Sequence, residues 1–159
     1  LIITAHTRDG VDLAMRYGLP QVVRDVILEH HGTTRVEYFY RRAQHMSPDG
    51  EEVSAEAFRY RGPQPQSLEA AIVMLCDSVE GATRAMRDMP PQKVGAKIRE
   101  IMMSRLMDGQ FDESGLSMTD LYRIEQALIR SLNAIFHNRI PYPEKSESQE
   151  HEPAAQAQS

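Results

Sequence analysis

Three histidines and one aspartate carry the chemistry this sequence can offer. His30 and His31 stand in tandem before Gly32 and Thr33, His6 lies upstream, and Asp77 follows Leu75 and Cys76. Each adjoins apolar residues of helical spacing, a setting that a purely solvated side chain does not require. Imidazole nitrogens and a carboxylate together suit a borderline transition metal, and such a metal activates water for hydrolysis.

The tandem pair constrains the geometry. Successive residues on a helix point about 100° apart, so His30 and His31 cannot face one cavity while the helix continues. Gly32 lifts that restriction: the backbone can turn there, with His30 facing inward from the last turn and His31 reaching the same cavity from the cap. The plainer alternative makes His30 a hydrogen-bonded core histidine and His31 a cation at the helix C-terminus. His6, behind Leu1, Ile2 and Ile3, has the same two readings. Asp77 lies among Met74, Leu75, Cys76 and Val79, so its carboxylate starts from an apolar setting and needs a metal, a cation or several donors. Cys76 itself reads as a small core residue. His45, His137 and His151 fall in surface or tail contexts and are set aside.

The elements that must position these groups are helical. Residues 1–17 predict a helix with a break near Gly10 and a stop at Gly18. Pro20 opens a second, in which Val22, Val23, Val26, Ile27 and His30 recur at three and four residues, and Gly32 takes the C-terminal cap. Residues 33–44 predict a third, with Val36, Phe39, Tyr40 and Ala43 on one side. Ser47-Pro48-Asp49-Gly50 is a turn by composition. The prolines of 58–65 hold that stretch extended and exclude a helix. Ser67 starts the strongest helix, to about Met86, with Ala70, Met74, Asp77 and Gly81 on one stripe; the missing side chain of Gly81 would admit a close neighbour. Pro90-Pro91 opens a helix through Met107, ended by Asp108-Gly109. Ser117 and Asp120 form a capping box for a last helix through about Asn138, striped by Leu121, Ile124, Leu128, Leu132 and Ile135.

The fold class is therefore all-α, a helical bundle. With 159 residues the chain has the length of one domain. Residues 144–159 are polar and acidic and are expected to form a disordered tail. The net charge of −5 argues against a nucleic-acid polymer as partner, because such binding rests on clustered Lys and Arg. One cysteine precludes an internal disulfide. No apolar run approaches the ~20 residues of a membrane span. The start at Leu1, inside an apolar run and without an initiator Met, suggests a piece of a longer protein.

A resemblance adds to this reading. Thr4-Ala5-His6-Thr7-Arg8-Asp9-Gly10, His30-His31-Gly32-Thr33, Tyr38-Phe39-Tyr40, Phe58-Arg59-Tyr60, Gly62-Pro63-Gln64-Pro65-Gln66-Ser67 and Met74-Leu75-Cys76-Asp77-Ser78-Val79-Glu80, in that order, resemble one family. It is the cytoplasmic HD domain of bacterial seven-transmembrane HD phosphodiesterases, which hydrolyse cyclic di-AMP. The similarity covers roughly residues 1–143, with Arg61 standing where the family commonly has Pro.

The resemblance implies an HD-domain bundle with two divalent transition metal ions, iron or manganese. It places metal ligands at His6, His30, His31 and Asp77, and catalytic roles at His30, His31 and Asp77. The family's first His and its His-Asp pair have no counterpart here and would precede Leu1, as would the membrane helices. The domain would then be N-terminally truncated and inactive by itself. The implied reaction is hydrolysis of cyclic di-AMP to pApA, in the cytoplasmic domain of a bacterial membrane protein. Arg8, Thr33, Tyr38 and Tyr60 are the candidate substrate contacts. Arg8 is otherwise a solvated side chain, Thr33 a helix start, and the two tyrosines ordinary packing. The 59–65 loop would form a rigid rim to the pocket. From a different class, a non-catalytic nucleotide-sensing helical domain coupled to a membrane sensor fits the same residues. A homo-oligomer stays open.

Overall fold

The structure, a computed structural model, describes residues 2–48, 51–86 and 90–137. Six α-helices follow a short 3-10 turn at Ile2–Thr4: α1 (His6–Arg16), α2 (Gln21–Glu29), α3 (Glu37–Met46), α4 (Leu68–Met86), α5 (Pro91–Met107) and α6 (Met118–His137), with a second 3-10 turn at Ala55–Phe58. Among the described residues no sheet forms, as an all-α fold requires, and no helix is long and apolar enough to cross a membrane. The tail at 144–159 and the domain end at Pro143 lie outside the described residues, as do Asp49 and Gly50 of the expected turn.

Helix α4 is the axis of the bundle. Ala71, Met74, Leu75 and Val79 recur at three- and four-residue steps and face Val94, Ile98 and Met102 of α5, with Phe111, Leu121 and Leu132 closing the core. Packing runs in sequence from α1 to α2, α2 to α4, α4 to α5 and α5 to α6. The caps act as their residue types dictate. Ser67 Oγ accepts the Ala70 N–H at 3.2 Å at the start of α4. Ser117 Oγ accepts the Asp120 N–H at 3.1 Å, and the Asp120 carboxylate returns to the Ser117 N–H at 3.3 Å.

Several expectations are corrected. The first helix breaks at Ala5, between the 3-10 turn and α1, and runs through Gly10. A Cβ on Gly10 would lie 2.8 Å from Ile27 Cγ2, so the missing side chain lets α1 approach α2. Residues 33–36 are not helical. Instead Arg35 and Arg59 form an isolated antiparallel bridge, with Val36 N–H donating to Phe58 O at 2.8 Å and Tyr60 N–H to Thr34 O at 2.9 Å. Pairing with the extended backbone at 58–60 outcompetes helix there, and α3 starts only at Glu37. Cys76 is exposed, because the core stripe of α4 passes through Leu75 and Val79 and leaves position 76 outside. Val22 and Val23 also face solvent, and Gly81 has no neighbour within 4 Å of where its Cβ would stand.

One glycine is indispensable to the arrangement. Gly32 has φ +51°, and a Cβ there would meet the Gln110 side-chain oxygen and, at 2.9 Å, Met74 Cε. Gly32→Ala combines a left-handed backbone with overpacking and should lower stability by about 2–4 kcal/mol. Urea unfolding followed by circular dichroism measures it, and an unchanged midpoint would contradict this account of the turn.

Candidate metal centre

Three elements bring the histidines together. His6 opens α1, His30 caps α2, and His31 follows where the chain turns through Gly32. One ligand atom from each of the three rings lies within 4.8 Å of those of the other two. His6 Nε2 and His30 Nε2 are 3.5 Å apart. The inner nitrogens are set by local bonds: Nδ1 of His6 meets Ile3 O, three residues back, and Nδ1 of His30 meets Ile27 O at 2.8 Å. His31 Nδ1 faces the Asp77 carboxylate at 3.4 Å. If each Nδ1 carries the proton, three Nε2 lone pairs are left, and backbone and carboxylate partners of this kind are how ligating histidines are usually oriented.

The donor set fits a metal ion. Two lone pairs 3.5 Å apart repel each other unless a cation lies between them. Metal–nitrogen bonds of about 2.1 Å at a tetrahedral angle separate their two nitrogens by about 3.4 Å. Burial, followed by the neighbouring His30, His6 and Arg105, pushes the His31 pKa down to about 3. The neutral imidazole that results at physiological pH is the ligating form.

Asp77 stands at the edge of this cluster. Its carboxylate partners His31, its side chain is 43% exposed, and it lies outside the group of three. The setting is therefore less apolar than the sequence suggested, although burial still raises its pKa. Tyr60 stacks on the His31 ring, with centroids 4.2 Å apart and 21° between planes. It is buried, with one face of its ring against His31. Tyr38, by contrast, is exposed on α3 with its edge toward Phe39. Arg8, together with Thr7 and Arg61, lines a cleft of about 360 Å³ whose wall includes Thr4 and Ala5, just before His6.

Thr33 shows what the sequence did not reveal. Gln110, 1% exposed, accepts the Thr33 N–H at 3.0 Å and donates to Thr33 Oγ1 at 2.9 Å. Arg59 donates to Thr33 O at 2.8 Å and forks onto Asp108 at 2.8 and 3.0 Å. Thr34 Oγ1 donates to His31 O at 2.7 Å. In the sequence, Asp108-Gly109-Gln110 signals only a helix stop. Its one hint is a polar glutamine directly before apolar Phe111.

Comparison with protein families matches residues 1–82 to the HD domain. The chain belongs to the HD domain family, whose members are metal-dependent phosphohydrolases. It is 41% identical over 143 residues to the cyclic-di-AMP phosphodiesterase PgpH of Bacillus subtilis, and 40% identical over 143 residues to PgpH of Listeria monocytogenes. These alignments cover 90% of this chain and 20% of each relative, so the chain spans about a fifth of their length. The solved L. monocytogenes PgpH HD domain in complex with cyclic-di-AMP is similar at a TM-score of 0.77 and 39% identity, over 84% of this chain and 61% of that one. The expected resemblance and the all-α HD fold are thereby borne out.

The Arg59 fork holds the Asp108 carboxyl below the usual carboxylate range. A depressed folded-state pKa gives stability that is present above the ordinary value of about 3.9 and lost as pH falls through the lower folded one. Asp108→Asn should therefore cost about 1–2 kcal/mol at pH 7. The gap to the parent protein should close between about pH 4 and pH 2, and unfolding midpoints across that range test it; a gap independent of pH would refute the assignment.

Proposed function

We propose that this chain supplies part of the active site of an HD-type, metal-dependent phosphodiesterase acting on a cyclic dinucleotide, cyclic di-AMP, with pApA as the product. The observation that carries this reading is the cluster of three histidines with ligand atoms within 4.8 Å, in a chain of the HD domain family. Its support on substrate is the similarity to a PgpH HD domain solved with cyclic-di-AMP.

In this reading His6, His30 and His31 hold metal through Nε2, and Asp77 either joins them as a ligand or orients His31. Two divalent ions, iron or manganese, when bound would polarise the phosphodiester and activate water. The remaining ligands, a His and a His-Asp pair, belong to sequence before Leu1, and residues 1–159 alone are expected to be inactive.

The chain's own residues bind and orient. Arg8, in a cleft it lines with Asp9, Arg59 and Arg61, offers a charge to a phosphate oxygen. Thr33 Oγ1 accepts from Gln110 and keeps its own proton to donate. Tyr38, exposed, can stack on an adenine face. Tyr60, buried, stacks on the His31 ring and holds it in place. In the cell the domain would be the cytoplasmic part of a bacterial membrane protein.

In the full-length protein, His30→Ala and Asp77→Ala should each lower bound metal and reduce cyclic di-AMP hydrolysis by at least about 100-fold. Elemental analysis and chromatographic detection of pApA measure the two quantities. Retention of both by either variant would sink its assignment. Tight binding of cyclic di-AMP without hydrolysis by the unaltered full-length protein would instead identify a nucleotide sensor.

A further inference from the structure

The part of the chain that matches the HD domain is residues 1–82, yet the turn after His31 is held by a side chain well beyond it. Helix α5 closes on a Schellman turn. Gly109, at φ +69°, donates its N–H to Leu106 O at 3.0 Å, and Gln110 N–H donates to Arg105 O at 3.1 Å. The residue at the place of Gln110 commonly makes a hydrophobic contact with its own helix. Here it is a glutamine, 1% exposed, and a buried amide must find partners.

Those partners belong to the metal-site turn and to Asp108. Gln110 Oε1 accepts the Thr33 N–H at 3.0 Å, while Nε2 donates to Thr33 Oγ1 at 2.9 Å and to the Asp108 carboxylate at 3.0 Å. The amide has one workable orientation. Turned over, it would set donor against the Thr33 N–H and acceptor against the carboxylate. Arg59 completes the frame, donating to Thr33 O at 2.8 Å while it forks onto Asp108. Thr33 is thus held at its N–H, hydroxyl and carbonyl, two residues after His31.

The histidine cluster needs such an anchor at one place. Nδ1 of His6 and of His30 are tied to carbonyls three residues back, so those rings are set by their own turns. His31 has left the helix, and the next residue is Gly32 at φ +51°, one of several conformations open to a free glycine. We infer that Gln110 is a positioning residue of the metal centre: by holding Thr33 it selects the Gly32 turn, and with it the direction in which His31 presents Nε2. This role rests on the reading of His6, His30 and His31 as metal ligands. It makes metal affinity depend on the loop after α5, outside residues 1–82.

Calorimetric titration of the full-length protein with Mn²⁺ tests it. Gln110→Leu keeps the bulk and removes all three side-chain bonds; it should weaken Mn²⁺ binding by about 10- to 100-fold, as removal of the groups behind ligating histidines does. Val94→Ala, a core truncation at the opposite end of α5, is the reference for lost stability alone, and its affinity should stay within about threefold of the parent protein. Should Gln110→Leu not fold, Gln110→Glu decides. It offers an oxygen to the Thr33 N–H but nothing to donate to Thr33 Oγ1, and should weaken binding by more than about threefold. An affinity equal to that of the parent in the folded Gln110 variant, or an equal loss in Val94→Ala, overturns the inference while the metal reading stands. Absence of Mn²⁺ binding by the unaltered full-length protein overturns both.

Discussion

The amide of Gln110 holds the site's most demanding piece of backbone. It is 1% exposed, and both of its ends are bound to Thr33: the oxygen takes the N–H at 3.0 Å and the nitrogen donates to the hydroxyl at 2.9 Å. A buried amide that lost either partner would bear the full desolvation cost of the orphaned group, so the two bonds reinforce each other. Because Gly32 has φ +51° and lies against Gln110 and Met74, this clamp fixes where the chain turns after α2. His30 and His31 sit directly before that turn. The same amide also donates to the Asp108 carboxylate at 3.0 Å, which links the turn to the Arg59 fork and the end of α5.

Around the clamp, local and long-range interactions divide the work. The Nδ1 atoms of His6 and His30 are bound by carbonyls three residues back on their own turns, so those ring orientations are inherited from local backbone. His31 is different: it has left the helix and depends on Asp77 of α4 at its Nδ1 edge and on Tyr60 against its ring face. Its proton affinity follows from that enclosure. Burial keeps the ring neutral, and the nearby His6, His30 and Arg105 add to the effect. A ring kept neutral suits a ligand more than a general acid.

Much of this was legible in the residues. Ser67, Ser117 with Asp120, Pro91 and Gly109 marked helix ends that the structure places at those positions, because capping is a local contest between side chain and backbone. The grouping of His6 with His30 and His31 followed from their apolar context and from Gly32. Elsewhere the local signal misled. Residues 33–36 read as the start of the next helix, although Thr33, Thr34 and Val36 are β-branched, and they pair with 58–60, a segment more than twenty positions away. Cys76 has core-like neighbours in sequence, but the core stripe of α4 runs through Leu75 and Val79 and leaves it outside.

By itself the sequence determined the all-α class, most helix ends and the HD kinship, because each depends on residue type at short spacing. Tertiary structure alone decided how His6, His30 and His31 are brought together and held. Gln110 reaches back seventy-seven positions to Thr33, Arg59 reaches forty-nine to Asp108, and Arg105 reaches Ser78 only when α5 packs on α4. Such partners share no periodicity or motif. Their meeting follows from the order in which the helices pack, which no short stretch of sequence encodes.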